Sequence, residues 1–256
     1  MSKQKRIFIV HGWGGNPEEG IFPWLKSELQ KKGFTVFSLS MPEPSNPQLD
    51  KWVNFLKQQI GVPNNKTILF GHSIGAQTIL RYLEGLNEKE HIGGAVFLAG
   101  WAHLTDEAYE EENEKAIAKP WLETPLNWSK IKSRAGKFTA IFSADDSVVP
   151  ISDAEIFKNN LGTKIIIENG KGHFDTDSGI KELPSALEAI LEISEKRINT
   201  LTKILGVLLI VVGIFSLVTP FTPGSWLFFV GLGMLGFRML FWKKIKKNLL
   251  NKASTK

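Results

Sequence analysis

No cysteine occurs among the 256 residues. Disulfides, thiolate metal ligands and a cysteine nucleophile are therefore excluded, and a reducing compartment is permitted. Acidic residues are missing from the last stretch. Residues 196–256 carry 10 Lys and Arg and no Asp or Glu, a net of +10, whereas residues 1–195 carry 21 basic and 26 acidic residues, a net of −5. The overall charge of +5 and the pI near 9.2 thus describe the tail and not the body. These basic residues flank apolar runs instead of forming a basic face interleaved with aromatics, so no nucleic-acid partner is expected. Only four apolar residues, Ile7 to Val10, precede His11, too few for the apolar core of a secretory leader. Neither GxxxxGK[ST] nor GxGxxG can be read from the glycine-rich stretch His11–Gly15, and no HxxxH spacing occurs, so no cofactor or metal is expected. There is no internal repeat and no low-complexity linker.

What is present centres on Phe70–Gln77, FGHSIGAQ. Gly71-His72-Ser73-Ile74-Gly75 fits G-x-S-x-G, in which a serine sits on a sharp strand-to-helix turn. Upstream, Lys66–Phe70 is a short apolar run that suits a buried parallel strand. Downstream, Ala76, Ile79, Leu80 and Leu83 recur at helical spacing. Glycines on both sides let strand and helix pass closely while the serine takes a strained conformation. The helix N-terminus then offers partial positive charge to an oxyanion.

Five further strands are predicted at Arg6–Val10, Phe34–Ser40, Ile92–Leu98, Lys137–Ser143 and Thr163–Glu168. Helices are expected around Trp24, Leu25 and Leu29, and over Leu49–Ile60, Ile151–Leu161 and Pro184–Ile193. Alternating strand and helix imply an α/β, doubly wound six-stranded parallel sheet with helices on both faces. Pro120–Ala135, with Trp121 and Trp128, reads as an irregular crossover capping a pocket. The acidic run Asp106–Glu114 reads as a solvated face.

A serine nucleophile needs an imidazole to take its proton and a carboxylate to orient that imidazole. Where the three follow in the order serine, acid, histidine, each sits at the C-terminal end of a strand. Of the five histidines only His173 follows an acid and lies in a glycine-rich loop after a strand. His11 and His72 read as structural or pocket-lining, His91 and His103 as surface or loop residues. After the fifth strand, Asp145 and Asp146 compete for the orienting role. The D-x-V-V-P arrangement favours Asp146, with Asp145 capping the following turn or helix. The first strand runs into His11-Gly12-Trp13-Gly14-Gly15, where a second oxyanion donor is expected from Trp13 or Gly14, beside the Ile74 N–H.

HGWGG, FPWLKSEL, SMPEPSNPQLDKWVNFL, GHSIGA, SADDSVVP and GKGHF together resemble the small YdeN-type serine hydrolases, the family of the retinoblastoma-binding serine hydrolase. The match covers about Lys5–Ile193. The resemblance implies an α/β-hydrolase-like fold lacking the first antiparallel strands, with Ser73, Asp146 and His173 as the triad. It names no substrate, and the animal relative is associated with protein binding, which leaves a protein partner open.

The tail, residues 196–256, departs from that pattern. Ile204–Val218 contains only Ser216 as a polar residue, and Trp226–Trp242 is interrupted only by Arg238. The turn between them reads TPFTPGS, and the segment resembles the PGPGW-type transmembrane hairpins. Stretches of this size span about 23–26 Å as helices, a little short of a hydrocarbon core of about 30 Å. Lys196, Arg197 and Lys203 on one flank, and Lys243, Lys244, Lys246 and Lys247 on the other, predict both ends cytoplasmic. The expectation is a hydrolase domain at 1–195, anchored by a two-helix hairpin at 196–256 and acting on a small-molecule or lipid-like ester or amide from the cytoplasmic side. Two other readings share these features: a membrane-tethered binding module on a hydrolase fold, and an acyltransferase using the same triad.

Overall fold

The computed structural model describes residues 4–109, 112–195, 200–218 and 226–234. It divides into two compact units, Met1–Glu195 and Lys196–Lys256. In the first, β1 (Arg6–Val10), β2 (Thr35–Leu39), β3 (Thr67–His72), β4 (Gly94–Leu98), β5 (Phe138–Ser143) and β6 (Lys164–Glu168) form one sheet. Its order is β2-β1-β3-β4-β5-β6, and every pairing is parallel.

Side chains alternate along the strands and feed two cores. Ile7, Ile9, Ile68, Phe70, Val96, Leu98 and Ile141 pack with Leu25 and Leu29 of α1 (Phe22–Lys31) and Ile190 of α7 (Pro184–Ser194). Phe8, Val10, Leu69, Phe97 and Phe142 face the other way. They meet Trp52 and Leu56 of α2 (Leu49–Ile60), Ile79, Leu80 and Leu83 of α3 (Ile74–Glu84), and Phe157 of α6 (Asp153–Leu161). Between β1 and β3 the chain changes direction of winding, and such a switch opens a crevice beyond the strand ends. Val10 pairs with Gly71, so the HGWGG loop and the serine turn leave the sheet level with each other.

Two expectations are corrected. The fourth strand begins at Gly94, and Ile92 makes only an isolated bridge to Ala135. The segment expected to be irregular is largely helical, as α4 (Glu112–Glu123) and α5 (Trp128–Ser133). Pro120 lies inside α4, where it removes one helical N–H donor. The buried Arg81 guanidinium supports that helix by donating through Nη2 to the carbonyls of Trp121 and Thr124, both at 2.8 Å. A cation on the last carbonyls of a helix satisfies orphan acceptors and complements the dipole. Trp121 and Trp128 do not line the crevice. Trp121 is buried edge-on to Trp52 and donates to the Pro47 carbonyl, and Trp128 packs on Phe157.

In the second unit, α8 (Thr200–Val218) and α9 (Trp226–Met234) form a helical pair. Gly231 sits against the Gly206 carbonyl and Ile210, with no room for a Cβ, a close backbone approach that small residues allow between apolar helices. Val207, Leu208, Val211, Val212 and Ile214 are exposed. Among the described residues no helix is long and apolar enough to cross a membrane. The expected turn at 219–225, the rest of the second apolar stretch with Arg238, and the basic flanks at 196–197 and 243–247 lie outside the described residues.

Candidate active site

Ser73 is the hinge between β3 and α3, with φ 53° and ψ −120°. This left-handed backbone is costly for a residue with a Cβ and persists only where packing imposes it. The flanking glycines show what imposes it. A Cβ on Gly71 would lie 2.6 Å from the carbonyl of Gly75, and one on Gly75 would lie 2.5 Å from the Val10 oxygen. The turn is therefore pressed onto itself and onto the end of β1.

The three residues expected to act together lie in one hydrogen-bonded row. Ser73 Oγ is 2.9 Å from His173 Nε2, and His173 Nδ1 is 2.9 Å from Asp146 Oδ2. A carboxylate only accepts, so Nδ1 carries the proton and Nε2 presents its lone pair to the serine O–H. Asp146 is fixed in turn, because its Oδ1 accepts from the N–H groups of Val148 and Val149. Its side chain is 2 % exposed and that of His173 11 %, which keeps water from competing for these contacts.

Asp145 does not cap the following turn, as the sequence suggests; Asp146 does that. Asp145 instead reaches across to the histidine loop and accepts from Ser143 Oγ and from the N–H groups of Gly170, Lys171 and Gly172. The Ser143 hydroxyl bond, followed by these backbone donors, holds its carboxyl down at about 2.

Of the two proposed loop donors, Gly14 is already committed: its N–H donates to the Pro44 carbonyl at 2.9 Å. No hydrogen bond among the described residues engages the N–H of Trp13 or Ile74. His11 is buried and structural, hydrogen-bonded at Nδ1 to the Gly12 carbonyl and accepting at Nε2 from the Met41 N–H. Burial lowers its pKa. His72 donates from Nε2 to the His173 carbonyl at 2.7 Å. Desolvation, then the proximity of His173, lowers its pKa to about 4, so it is neutral at physiological pH. His103, expected to be an ordinary loop residue, pairs through Nδ1 with the buried Asp153. Asp153 also takes the N–H groups of Ala102 and His103, and so holds the loop beyond β4.

Over Ser73 lies a cavity of about 460 Å³ with Trp13, Ile74, Trp101, Leu104 and Val148 among its walls, together with Ser45, Glu114 and Asp175. A second cavity of about 280 Å³ shares Trp13, Gly14, His72 and Asp175 with it and adds Glu19 and Asp177. Sequence reasoning missed Glu114. It belongs to a run of like charges that resembles any solvated helix face, and no periodicity marks it as a residue that lines the cavity.

A family model described as serine hydrolase matches residues 7–192. The chain belongs to the serine hydrolase family. A curated relative in this family, "Putative hydrolase YdeN" of Bacillus subtilis, is 28 % identical over 186 residues, covering 73 % of this chain and 94 % of that protein. The crystal structure of the B. subtilis ydeN product superposes with a TM-score of 0.68 at 27 % identity, over 75 % of this chain and all of that one. Serine hydrolase RBBP9 of Rattus norvegicus is 28 % identical over 180 residues, 68 % of this chain and 89 % of that one. Residues 199–252 match a separate family described as "Putative transmembrane protein (PGPGW)".

Proposed function

We propose that this serine hydrolase cleaves an ester of a small, lipophilic molecule through Ser73, His173 and Asp146. His173 Nε2 takes the Ser73 proton as Oγ attacks the ester carbonyl. Asp146 holds the imidazole in the required tautomer and stabilises the imidazolium that forms. The carbonyl oxygen, now an anion, is held by the free N–H groups of Ile74 and Trp13. The imidazolium returns its proton to the departing alcohol, leaving an acyl-serine. Water, deprotonated by the same nitrogen, then releases the acid and restores the serine. The observation that carries this reading is the continuous row Ser73 Oγ, His173, Asp146, built at 2.9 Å per step on a strained serine turn.

The second unit is proposed to hold the enzyme at the cytoplasmic face of a membrane. Support comes from the apolar side chains exposed along α8, the close glycine packing of the pair, and the basic residues of the flanking sequence. An anchored enzyme whose cavity has Trp13, Ile74, Trp101, Leu104 and Val148 among its walls suits a substrate partitioned into the bilayer. The test is hydrolysis of a p-nitrophenyl ester series of rising chain length by membranes carrying wild type or Ser73→Ala. The proposal expects turnover that rises with chain length and vanishes in the variant. Activity that survives the substitution removes Ser73, and release of the protein by carbonate wash removes the anchor.

A further inference from the structure

Two adjacent carboxylates leave β5, and only one of them faces the imidazole. The other, Asp145, gathers the loop on which the imidazole is mounted. Its Oδ1 accepts from Ser143 Oγ at 2.7 Å, Gly170 N at 2.7 Å and Lys171 N at 3.2 Å, and its Oδ2 from Gly172 N at 3.3 Å. Ser143 Oγ, itself buried, accepts from Lys171 N at 3.3 Å, so the serine and the aspartate close a ring around the loop. The loop needs such a tie. Gly170 and Gly172 lie at φ 67° and 48° and Phe174 at 58°, so residues 170–174 have left-handed backbone on both sides of His173 and no sheet ladder to hold them. Beyond the imidazole the loop is held by the bond from His72 Nε2 to the His173 carbonyl and by that from the Phe174 N–H to the Lys171 carbonyl.

We infer that Asp145 is a positioning residue for the hydrolase reaction: its carboxylate fixes the 170–172 backbone so that His173 spans Ser73 and Asp146. It touches neither substrate nor imidazole. This inference rests on His173 being the base of the proposed mechanism. The chemistry favours a carboxylate here because three successive N–H groups and one hydroxyl converge on it, a donor set that neutral side chains satisfy only in part. A misplacement of about 1 Å in a catalytic group costs on the order of 10²-fold in rate, and that sets the expected size.

The test compares full-length wild type, Asp145→Ala and Asp145→Asn in detergent, with p-nitrophenyl butyrate and a fluorophosphonate probe. Asp145→Ala is expected to lower kcat and the labelling rate by roughly 10- to 100-fold with KM within twofold, since the binding walls are untouched. The downfield proton resonance of His173 Nδ1–H bonded to Asp146 should fade with it. Asp145→Asn should recover part of the rate and the resonance and stay several-fold below wild type, because its carbonyl oxygen can take the three Oδ1 contacts while its amide group cannot accept from the Gly172 N–H. If Asp145→Ala does not fold, Asp145→Asn and Ser143→Ala decide: a several-fold loss of kcat at constant KM is expected in each. Folded Asp145→Ala with wild-type kcat and labelling overturns the inference, as does loss of rate that tracks only the folded fraction. A wild type that the probe does not label overturns the mechanism itself, a result distinct from either.

Discussion

Removing the proton-binding site of His72 while keeping its hydrogen bond should flatten the acid dependence of stability. His72 is buried at 6 % exposure, and its pKa falls from the ordinary 6.5 to about 4 through desolvation and the neighbouring His173. The unfolded chain therefore binds a proton in a pH range where the folded chain does not. A depressed pKa contributes its stability fully above about 6.5 and loses it as pH falls toward 4. Each pKa unit is worth about 1.4 kcal/mol, so lowering the pH from 7 to 5 removes roughly 2 kcal/mol through this residue alone. His72→Gln retains an N–H for the His173 carbonyl and has no proton to gain. Urea unfolding of full-length protein in a neutral detergent, followed by tryptophan fluorescence at pH 7 and pH 5, measures the difference. Other titrating groups are common to both proteins and cancel. Wild type should lose about 2 kcal/mol more than the variant over that interval. Equal losses would show that His72 is already free to take up a proton in the folded state, and would refute the burial argument.

Gly75→Ala places a Cβ 2.5 Å from the Val10 oxygen and 2.7 Å from that of His11. It should cost roughly 1–3 kcal/mol in chemical denaturation and lower kcat by on the order of 10²-fold, since the displaced end of β1 carries the Trp13 donor. Arg81→Ala removes two charge-assisted bonds, to the carbonyls of Trp121 at the end of α4 and of Thr124 just beyond it. A loss of about 3 kcal/mol, seen as a fall of roughly 6–12 °C in Tm, is expected. The described walls of the two cavities include Glu19, Glu114, Asp175 and Asp177 and neither Lys nor Arg. An ester bearing a carboxylate should therefore show a kcat/KM about tenfold below its neutral isostere at low ionic strength, the gap narrowing as salt is added. Equal values at low salt would contradict this.

The parts of the site legible in the sequence are those that backbone sterics dictate. Gly71 and Gly75 mark the turn because nothing larger fits where β3, α3 and β1 converge, and the order of Ser73, Asp146 and His173 follows from parallel strands ending on one edge. Contacts chosen among chemically equal candidates were not legible. Trp13 and Gly14 differ only in which N–H the Pro44 carbonyl occupies, and Asp145 and Asp146 only in which loop each carboxylate meets. The helical course of 112–123 was hidden by Pro120, and the support that its C-terminal end draws from Arg81, 40 residues before Trp121 in the chain, leaves no local signal. The buried Trp121 misled for a related reason. A tryptophan in a crossover reads equally as a cavity wall or a core residue, and here Trp52 and the Pro47 carbonyl draw it into the core.

The central claim is that Ser73 is an activated nucleophile. It is tested most directly by treating membranes that carry the full-length protein with a fluorophosphonate and mapping the adduct by peptide mass spectrometry. The mechanism predicts a single phosphonylated site at Ser73, formed rapidly in wild type, greatly slowed in His173→Ala and absent in Ser73→Ala. A folded wild type that takes up no probe, or an adduct on any other residue, would contradict it.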